Sequence, residues 1–297
     1  MKEKKQITVL GLGNMGIKLA ELLADSGEVV TVWNRTIEKA SGIRNAHVEP
    51  DLQKAVSKSA VYVICVYDYA ATWQILHALD DKSLLEGKTV INFTTGAPEE
   101  AEAVESWLKE YAAGYINGAL QAAPDQMGLA ETTILLSGDK EIYDANQEVL
   151  KILGGNLKYL GSKASLASAV DLASLSWLYG SYIGLIYGVA MCEQVGVDLE
   201  EYSKIITEIA PGFTQFFKHQ IRTIDSNNFS ITQSPLAISV TATQRIYKAV
   251  QGYGMDAEFW QSITALFSHA DRMGLGNKEV AAMIGVIDKK RRREILA

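Results

Sequence analysis

A glycine-rich turn between two apolar segments, close to the start of the chain, constrains the fold more than any other feature. Residues 7–10 are a short, β-branched run that predicts a buried parallel strand. Gly11, Gly13 and Gly16 follow with the spacing G-x-G-x-x-G. An apolar stripe at helical spacing comes next, and residues 29–33 predict a second strand. A strand, a glycine turn, a helix and a strand in this order predict a dinucleotide-binding unit.

Each glycine has a physical role in such a unit. The first allows the tight turn, the second lets the backbone approach a pyrophosphate, and the third lets the helix pack closely against the strand. The helix N-terminus offers free N–H groups and the positive end of its dipole to the phosphates. The residues assigned to this part of the cofactor site are Gly11, Leu12, Gly13, Asn14, Met15 and Gly16, with Val66 at the end of a later predicted strand.

The end of the second predicted strand indicates which dinucleotide binds. A site for NAD usually has Asp or Glu here, which accepts a hydrogen bond from the ribose 2′-hydroxyl, whereas Arg accommodates the 2′-phosphate of NADP. This chain has Asn34, Arg35 and Thr36, with Lys39 one turn further on and no carboxylate at positions 34–36. Arg35 can fork onto phosphate oxygens, the Thr36 hydroxyl can donate to them, and Lys39 adds a positive charge. The predicted cofactor is NADPH.

Charge and cysteine content narrow the partners and the compartment. A net charge of −7 argues against nucleic acid or an anionic membrane as a partner. Cys65 and Cys192 are isolated in apolar segments, which favours a reducing cytoplasm over a disulfide framework. The first residues contain no signal-peptide core, in keeping with that compartment. No metal site is predicted, because zinc-ligand spacing is lacking at His47, His77, His219 and His269.

Strand and helix patterns alternate to about residue 160. This part is predicted to be α/β, with a doubly wound, mainly parallel Rossmann sheet. After Gly161 the strand patterns nearly stop, and an all-α region follows. We expect a dinucleotide-binding domain over residues 1–160, an interdomain helix over residues 161–195 and a helical domain over residues 196–297. Breaks between its helices are predicted at residues 211–212, 225–228, 234–235, 252–254 and 274–276.

The predicted interdomain helix contains 21 consecutive residues without a charge, from 172 to 192. Its length would allow a membrane span, but the flanking residues, Asp171 and Glu193, are acidic. A small residue recurs at every fourth position, at Ser176, Gly180, Gly184 and Gly188. Such a ridge lets another helix approach closely. We therefore expect a buried helix at a domain or subunit interface, and no membrane partner.

The whole chain resembles the β-hydroxyacid dehydrogenase superfamily, in which a dinucleotide domain precedes one long helix and a helical domain. Its details are more similar to the imine reductase and reductive aminase branch. The resemblance implies NADPH-dependent reduction of C=N bonds, in cyclic imines or iminium ions, to amines, with reductive amination left open. The matching segments are Gly11-Leu12-Gly13-Asn14-Met15-Gly16, Val32-Trp33-Asn34-Arg35-Thr36 with Lys39, and Asn117-Gly118-Ala119 leading to Ile134-Leu135-Leu136-Ser137-Gly138.

Two substitutions separate this chain from the hydroxyacid dehydrogenases in that superfamily. Those enzymes have a catalytic Lys on the interdomain helix, and Asp171 occupies its place, as is common in imine reductases. They hold the substrate carboxylate with a Ser-Gly-Gly turn, where this chain has residues 121–123, Gln-Ala-Ala. A carboxylate beside the nicotinamide would stabilise a cationic iminium. If burial raises its pKa, the same carboxyl can donate a proton to a neutral imine.

The resemblance implies further site residues. Asn92, at the carboxyl end of a predicted strand, would orient the substrate and contact the cofactor, and doubly wound sheets bind ligands at such strand ends. Tyr179 matches a tyrosine eight residues after the catalytic Asp, about 80° around the helix from Asp171 and about 12 Å along it. Tyr182 projects nearer to Asp171 and is the competing choice. The implied substrate pocket comprises Gln121, Leu175, Tyr182, Phe213 and Gln244.

In the family that the chain resembles, subunits exchange their helical domains. This implies a domain-swapped homodimer, with Asn92 of one subunit facing Phe213 and Gln244 of the other. Two other functions stay open at this point. A β-hydroxyacid or semialdehyde dehydrogenase is disfavoured by the missing Lys, and a non-catalytic NADPH-sensing protein is disfavoured by the polar residues Asn92, Asp171 and Tyr179.

Overall fold

The computed structural model describes residues 4–296, and their strands form one eight-stranded sheet. The strands are β1 (Gln6–Leu10), β2 (Val29–Trp33), β3 (His47–Val48), β4 (Val61–Ile64), β5 (Thr89–Asn92), β6 (Gly114–Leu120), β7 (Thr133–Gly138) and β8 (Asn156–Tyr159). Their spatial order is β3-β2-β1-β4-β5-β6-β7-β8, and only the β6–β7 pair is antiparallel. The order reverses direction between β1 and β4, which is the switch point of a doubly wound sheet. The predicted fold class is confirmed.

Helices cover both faces of this sheet, and the pleat of β1 shows how the two cores are separated. Ile7 and Val9 pack on one face, whereas Leu10 packs on the other. Four of the five residues of β1 are buried, which explains its continuous apolar sequence. The first face is covered by α1 (Asn14–Asp25) and α5 (Lys140–Leu153), and the second by α2 (Leu52–Ser57), α3 (Tyr69–His77) and α4 (Pro98–Glu110).

Sequence pattern and structure differ at a few elements. The pattern does not predict β3, α2 or β8, which are too short to show a period. The break predicted at residues 211–212 is wrong, because α7 (Leu199–Ser226) continues through Pro211. A proline inside a helix costs about 3 kcal/mol, and this helix offsets that cost over its 28 residues.

One long helix, α6 (Ser165–Gln194), crosses the division between two compact units, residues 1–178 and 179–297. Its buried residues are confined to its first two turns, at Ser165, Ala167, Ser168 and Asp171. The rest of the helix is exposed or half-buried in the single chain, so its expected burial at a domain or subunit interface stays a prediction. Among the described residues, α6 is the one helix that is long and apolar enough to cross a membrane, judged by length and composition alone.

The second unit is all helical. After the end of α6 it contains α7, α8 (Leu236–Gly252), α9 (Glu258–Arg272), α10 (Ile284–Ile287) and α11 (Lys289–Leu296). Leu236, Ala270 and Leu275 belong to its small apolar core. A side chain at Gly188 would collide with the hydroxyl of Tyr202, so this glycine lets α7 approach α6 closely. A Cβ at Gly180 or Gly184 would meet no packed neighbour within 4 Å among the described residues.

A buried carboxylate, that of Glu279, organises the loop before α8. It accepts hydrogen bonds from the main-chain N–H groups of Thr232 (2.7 Å), Gln233 (2.9 Å) and Ser234 (3.0 Å). The Gln220 amide on α7 donates a further bond of 2.9 Å. Burial raises the pKa of Glu279, but these donors outweigh burial and hold the pKa at about 2. Glu279 is therefore an ionised structural anchor.

Candidate active site

The glycine loop after β1 has the shape that a dinucleotide site requires. Gly11 has a φ of +101°, a left-handed conformation that glycine adopts without strain. A Cβ at Gly16 would collide with the Gly11 carbonyl oxygen, so the start of α1 packs directly on the turn. Val66 also lies against Gly11, where a Cβ would meet its side chain. The first and third glycines therefore serve close packing.

The middle of the loop is open. A Cβ at Gly13 would meet no described residue within 4 Å apart from its chain neighbours, and Gly13 and Asn14 are exposed. Gly13 is the N-cap of α1 and supplies no side-chain hydrogen bond, which leaves the N–H groups of the first turn for a ligand. The side chains of Leu12 and Met15 point into the core instead. The loop therefore presents backbone and open space to an incoming pyrophosphate.

The end of β2 carries the residues assigned to the 2′-phosphate. Arg35, Thr36 and Lys39 are exposed, and Nη1 of Arg35 donates to Oε1 of Gln74 on α3 at 3.2 Å. Asn34 has a different position: its Oδ1 accepts from the Leu12 N–H at 3.0 Å. Asn34 thus braces the glycine loop, whereas the other three side chains remain available to an anion.

Asn92 lies at the carboxyl end of β5, fully buried. Its Oδ1 accepts from the Thr94 N–H at 3.0 Å, and its Nδ2 donates to the Tyr115 hydroxyl at 3.4 Å. The Thr94 hydroxyl in turn accepts from the N–H of Val66 at 3.4 Å. These bonds join the ends of β4 and β5, at the edge of the sheet where ligands bind in this fold.

A chain of buried hydrogen bonds continues from Asn92 to the first turns of α6. The Tyr115 and Tyr69 hydroxyls lie 3.3 Å apart, and Tyr69 donates to Oδ1 of Asn117 at 3.2 Å. Nδ2 of Asn117 donates to the Ala164 carbonyl at 2.9 Å and to the Ser168 hydroxyl at 2.8 Å. This series of hydrogen bonds fixes α6 to the sheet one turn before Asp171.

Reasoning from the sequence does not identify this network as part of the site. One signal for it was present, because Asn117 stands inside an otherwise apolar strand, and a buried amide needs partners. The partners themselves are distant in sequence: Asn117 and Ser168 are separated by 51 positions. Only the fold brings them together.

Asp171 is only 5% exposed. Its Oδ1 accepts a hydrogen bond of 2.7 Å from Nε2 of Gln121, directly after β6. Burial raises the pKa of Asp171, and the Gln121 hydrogen bond opposes that rise only in part. No charged side chain of the described residues contributes to the shift. The result is a carboxyl group that is easier to protonate than an ordinary aspartic acid.

The remaining predicted pocket residues are not enclosed in the single chain. Leu175 is half-buried, one turn after Asp171 on α6. Tyr179 and Tyr182 are 62% and 53% exposed. Phe213 and Gln244 lie on α7 and α8 of the second unit and are exposed as well. The structure thus brings together Gln121 and Asp171, and it leaves the roles of the other residues as predictions.

The Rossmann sheet, the glycine loop and the helical second unit define the class: a dinucleotide-binding oxidoreductase of the 6-phosphogluconate dehydrogenase type. Residues 6–161 match the NAD binding domain of 6-phosphogluconate dehydrogenase. Residues 163–289 match the C-terminal domain described as NADPH-dependent reductive aminase-like. The two matches divide the chain just before α6 begins.

Similarity to individual proteins extends over nearly the whole chain. A reductive aminase from Aspergillus terreus, solved with NADPH and ethyl levulinate, is 31% identical, with a TM-score of 0.90 over 96% of this chain and 100% of that one. An imine reductase from Myxococcus stipitatus, solved with NADP⁺, is 27% identical, with a TM-score of 0.91 over 95% and 100%. An NADPH-dependent reductive aminase from Aspergillus oryzae is 28% identical over 94% of this chain and 96% of its own length. The chain belongs to the imine reductase and reductive aminase family, which confirms the predicted resemblance.

Proposed function

We propose that this protein is an NADPH-dependent imine reductase, which reduces the C=N bonds of imines and iminium ions to amines. The observation that carries the proposal is the Asp171 carboxyl, which is buried and has a raised pKa without any charged partner among the described residues. Such a group stabilises a neighbouring cation when ionised and donates a proton when neutral. The similarity to reductive aminases from Aspergillus and to an imine reductase from Myxococcus stipitatus supports the same reaction.

The glycine loop and the end of β2 would hold the cofactor. The N–H groups at the start of α1, beside the open space at Gly13, suit a pyrophosphate. Arg35, Thr36 and Lys39 suit the 2′-phosphate, because they offer a guanidinium, a hydroxyl and an ammonium group with no neighbouring carboxylate at positions 34–36. When bound, NADPH supplies the hydride that the substrate carbon accepts.

Asp171 would provide the charge and the proton that the substrate nitrogen needs. Reduction adds a hydride to the carbon of the C=N bond and leaves the nitrogen with one proton more than a neutral imine has. A substrate that arrives as an iminium already carries this proton, and ionised Asp171 stabilises its positive charge. A neutral imine takes the proton from the protonated Asp171 carboxyl, which solvent then restores. Both routes end at the same amine.

The surroundings of Asp171 favour apolar imines over carboxylic substrates. At the place where the related hydroxyacid dehydrogenases bind a carboxylate, Nε2 of Gln121 is already bonded to Asp171, and Ala122 and Ala123 have no side-chain donors. A substrate carboxylate would also be repelled by ionised Asp171. We expect Asn92 and Tyr179 to orient the substrate, with Leu175 and Tyr182 in the pocket wall.

A second copy of the chain would cover the exposed apolar face of α6 and α7. Soluble proteins rarely leave an extended apolar patch in water. We propose a domain-swapped homodimer, in which Phe213 and Gln244 of one subunit reach the Asn92 region of the other. An active monomer in size-exclusion chromatography with light scattering would contradict this. Large apolar side chains exposed on these two helices include Trp177, Leu178, Tyr182, Ile186, Ile209, Phe213 and Phe217.

The proposed partners are small imines and amines. The net charge of −7 makes nucleic acid and anionic membranes poor partners, and the second copy would cover the apolar helix that meets the length criterion for a membrane span. Cys65 and Cys192 are free thiols, which suits the reducing cytoplasm that we propose as the compartment.

The first experiment would follow NADPH absorbance with a cyclic imine, such as a methylpyrroline or a dihydroisoquinoline. A parallel assay would offer NADP⁺ with a panel of β-hydroxyacids and semialdehydes. We expect oxidation of NADPH that depends on the imine. Turnover of a hydroxyacid would instead identify a dehydrogenase, and tight NADPH binding with no turnover of any substrate would identify a sensing protein.

A further inference from the structure

We propose that Gln121 is a positioning residue, which holds the Asp171 carboxyl in a fixed orientation through both of its protonation states. This inference rests on the proposed function, because it assigns Asp171 the proton transfer. It begins from one contact, the 2.7 Å hydrogen bond from Nε2 of Gln121 to Oδ1 of Asp171. Among the described residues, no other side chain donates a hydrogen bond to this carboxyl.

The donor and the acceptor are both built on rigid elements. Gln121 directly follows β6, and its main-chain N–H donates to the Thr133 carbonyl at 3.0 Å, which extends the β6–β7 pairing by one residue. On the other side, the hydrogen bond from Asn117 to Ser168 fixes α6 one turn before Asp171. A reactive group held between two such supports keeps the narrow geometry that catalysis needs.

A glutamine amide suits a carboxyl that must lose and regain a proton. Its Nε2 donates to the ionised carboxylate, as observed. After rotation of the amide, Oε1 could accept from the protonated carboxyl, and this oxygen accepts no hydrogen bond from the described residues. A lysine here would hold Asp171 ionised, whereas an apolar side chain would release it. An amide, which carries both a donor and an acceptor, can serve both states at the same position.

Among the described residues, Gln121 is the side chain that opposes the rise in the pKa of Asp171. Burial raises the pKa of Asp171 and the Gln121 hydrogen bond lowers it, with no charged side chain from the described parts of the chain acting on it. Removing the amide should therefore raise the pKa of Asp171, and a carboxylate in its place should raise the pKa further through like-charge repulsion.

The test compares Gln121→Met, which keeps the length of the side chain and removes its donors, with Gln121→Glu. We expect the kcat of Gln121→Met to fall about tenfold because Asp171 is no longer oriented. The pH profile of kcat should move to higher pH in Gln121→Met and further in Gln121→Glu, while the Kd for NADPH stays unchanged. The matched control is Gln147→Met, which removes an equivalent 2.8 Å bond to Asp144 on the exposed face of α5 and should change neither quantity.

A second measurement needs no turnover. The Asp171 carboxyl would be titrated by NMR in protein labelled with ¹³C-aspartate, its signal assigned by its loss in Asp171→Asn. A higher titration midpoint in Gln121→Met supports the positioning role even if the wild-type protein reduces no imine, a result that would refute the proposed reaction alone. An unmoved midpoint in Gln121→Met would overturn the role of Gln121, whether or not the wild-type protein turns over imines.

Discussion

Two buried carboxylates in this molecule have pKa values that are shifted in opposite directions. Glu279 in the second unit and Asp171 in the first are 0% and 5% exposed, so both lose most of their hydration. Glu279 accepts hydrogen bonds from three main-chain N–H groups and from Gln220, and its pKa is held at about 2. Asp171 has the single amide of Gln121, and its pKa is raised.

Burial raises the pKa of both carboxylates, and the larger number of donors around Glu279 accounts for the opposite direction of its shift. Each hydrogen bond to an ionised carboxylate offsets part of its desolvation penalty. A fully bonded carboxylate such as Glu279 is fixed as an anion and stabilises the fold. An under-bonded one such as Asp171 costs stability when it ionises, and it stays able to exchange a proton or to attract a cation.

The largest effect is expected at Asp171. Asp171→Asn keeps the shape of the side chain and an oxygen that can accept from Gln121, but it removes both the charge and the proton. We expect kcat/KM for a cyclic imine to fall about 10³-fold. Thermal unfolding should show a Tm equal to or above that of the wild type, because no charge is buried any longer. A large loss of Tm would show that Asp171 is a structural carboxylate like Glu279.

The second effect is expected at Glu279, where stability rather than activity should be lost. Glu279→Gln replaces one oxygen by an NH₂ group, which must then face N–H donors, since each carboxylate oxygen accepts at least two hydrogen bonds. We expect the free energy of unfolding, measured with urea, to fall by about 3 kcal/mol. The kcat of the folded fraction at low temperature should stay unchanged. A loss of activity without a loss of stability would contradict the structural role of Glu279.

A third variant tests the support of Asp171 rather than the carboxyl itself. Asn117→Leu leaves the Tyr69 hydroxyl, the Ala164 carbonyl and the Ser168 hydroxyl without their amide partner. We expect the free energy of unfolding to fall by about 2 kcal/mol, together with a reduced kcat because the start of α6 is no longer fixed. The control is Asn146→Leu on α5, which removes the part-buried hydrogen bonds of the Asn146 side chain with the Ile142 carbonyl and Lys5 and should affect stability only.

The last prediction concerns the pH dependence of stability. The pKa of folded Glu279 is lowered, so its contribution is complete above the ordinary pKa of a glutamate and is lost as the pH falls towards 2. The pKa of folded Asp171 is raised, so the wild type loses stability relative to Asp171→Asn as the pH rises through that value. Urea unfolding at several pH values would compare the stability of the wild type with those of Glu279→Gln and Asp171→Asn. As the pH falls, the wild type should lose stability relative to Glu279→Gln and gain stability relative to Asp171→Asn. A loss relative to both variants would mean that both carboxylates are structural.

Local patterns predict much of the first unit. The apolar run of β1, the glycines of the turn and the stripe of α1 lie within a single stretch of chain, so backbone geometry alone connects them to a dinucleotide site. The helix α5 has the bounds that its periodicity indicates, Lys140–Leu153. The absence of a carboxylate at positions 34–36 also points to NADPH before any fold is known.

Other features of the structure could not be predicted from local sequence patterns. Pro211 predicts a break, because a local rule does not weigh the cost of one proline against the hydrogen bonds of a helix of 28 residues. The apolar composition of α6 predicts burial, but composition does not say whether the same chain or a second one covers the helix. Asn34 illustrates the same limit within the predicted site, since its side chain braces the loop through the Leu12 N–H.

The sequence by itself determined the Rossmann unit, the type of cofactor and the position of a carboxylate on the long helix, because each depends on residues close together in the chain. Only the tertiary structure decided what the carboxylates do. The donor to Asp171 lies 50 positions away, and the Gln220 donor to Glu279 lies 59 positions away. Burial and the hydrogen-bond donors around a charge together set its pKa, and only folding brings those donors to the charge.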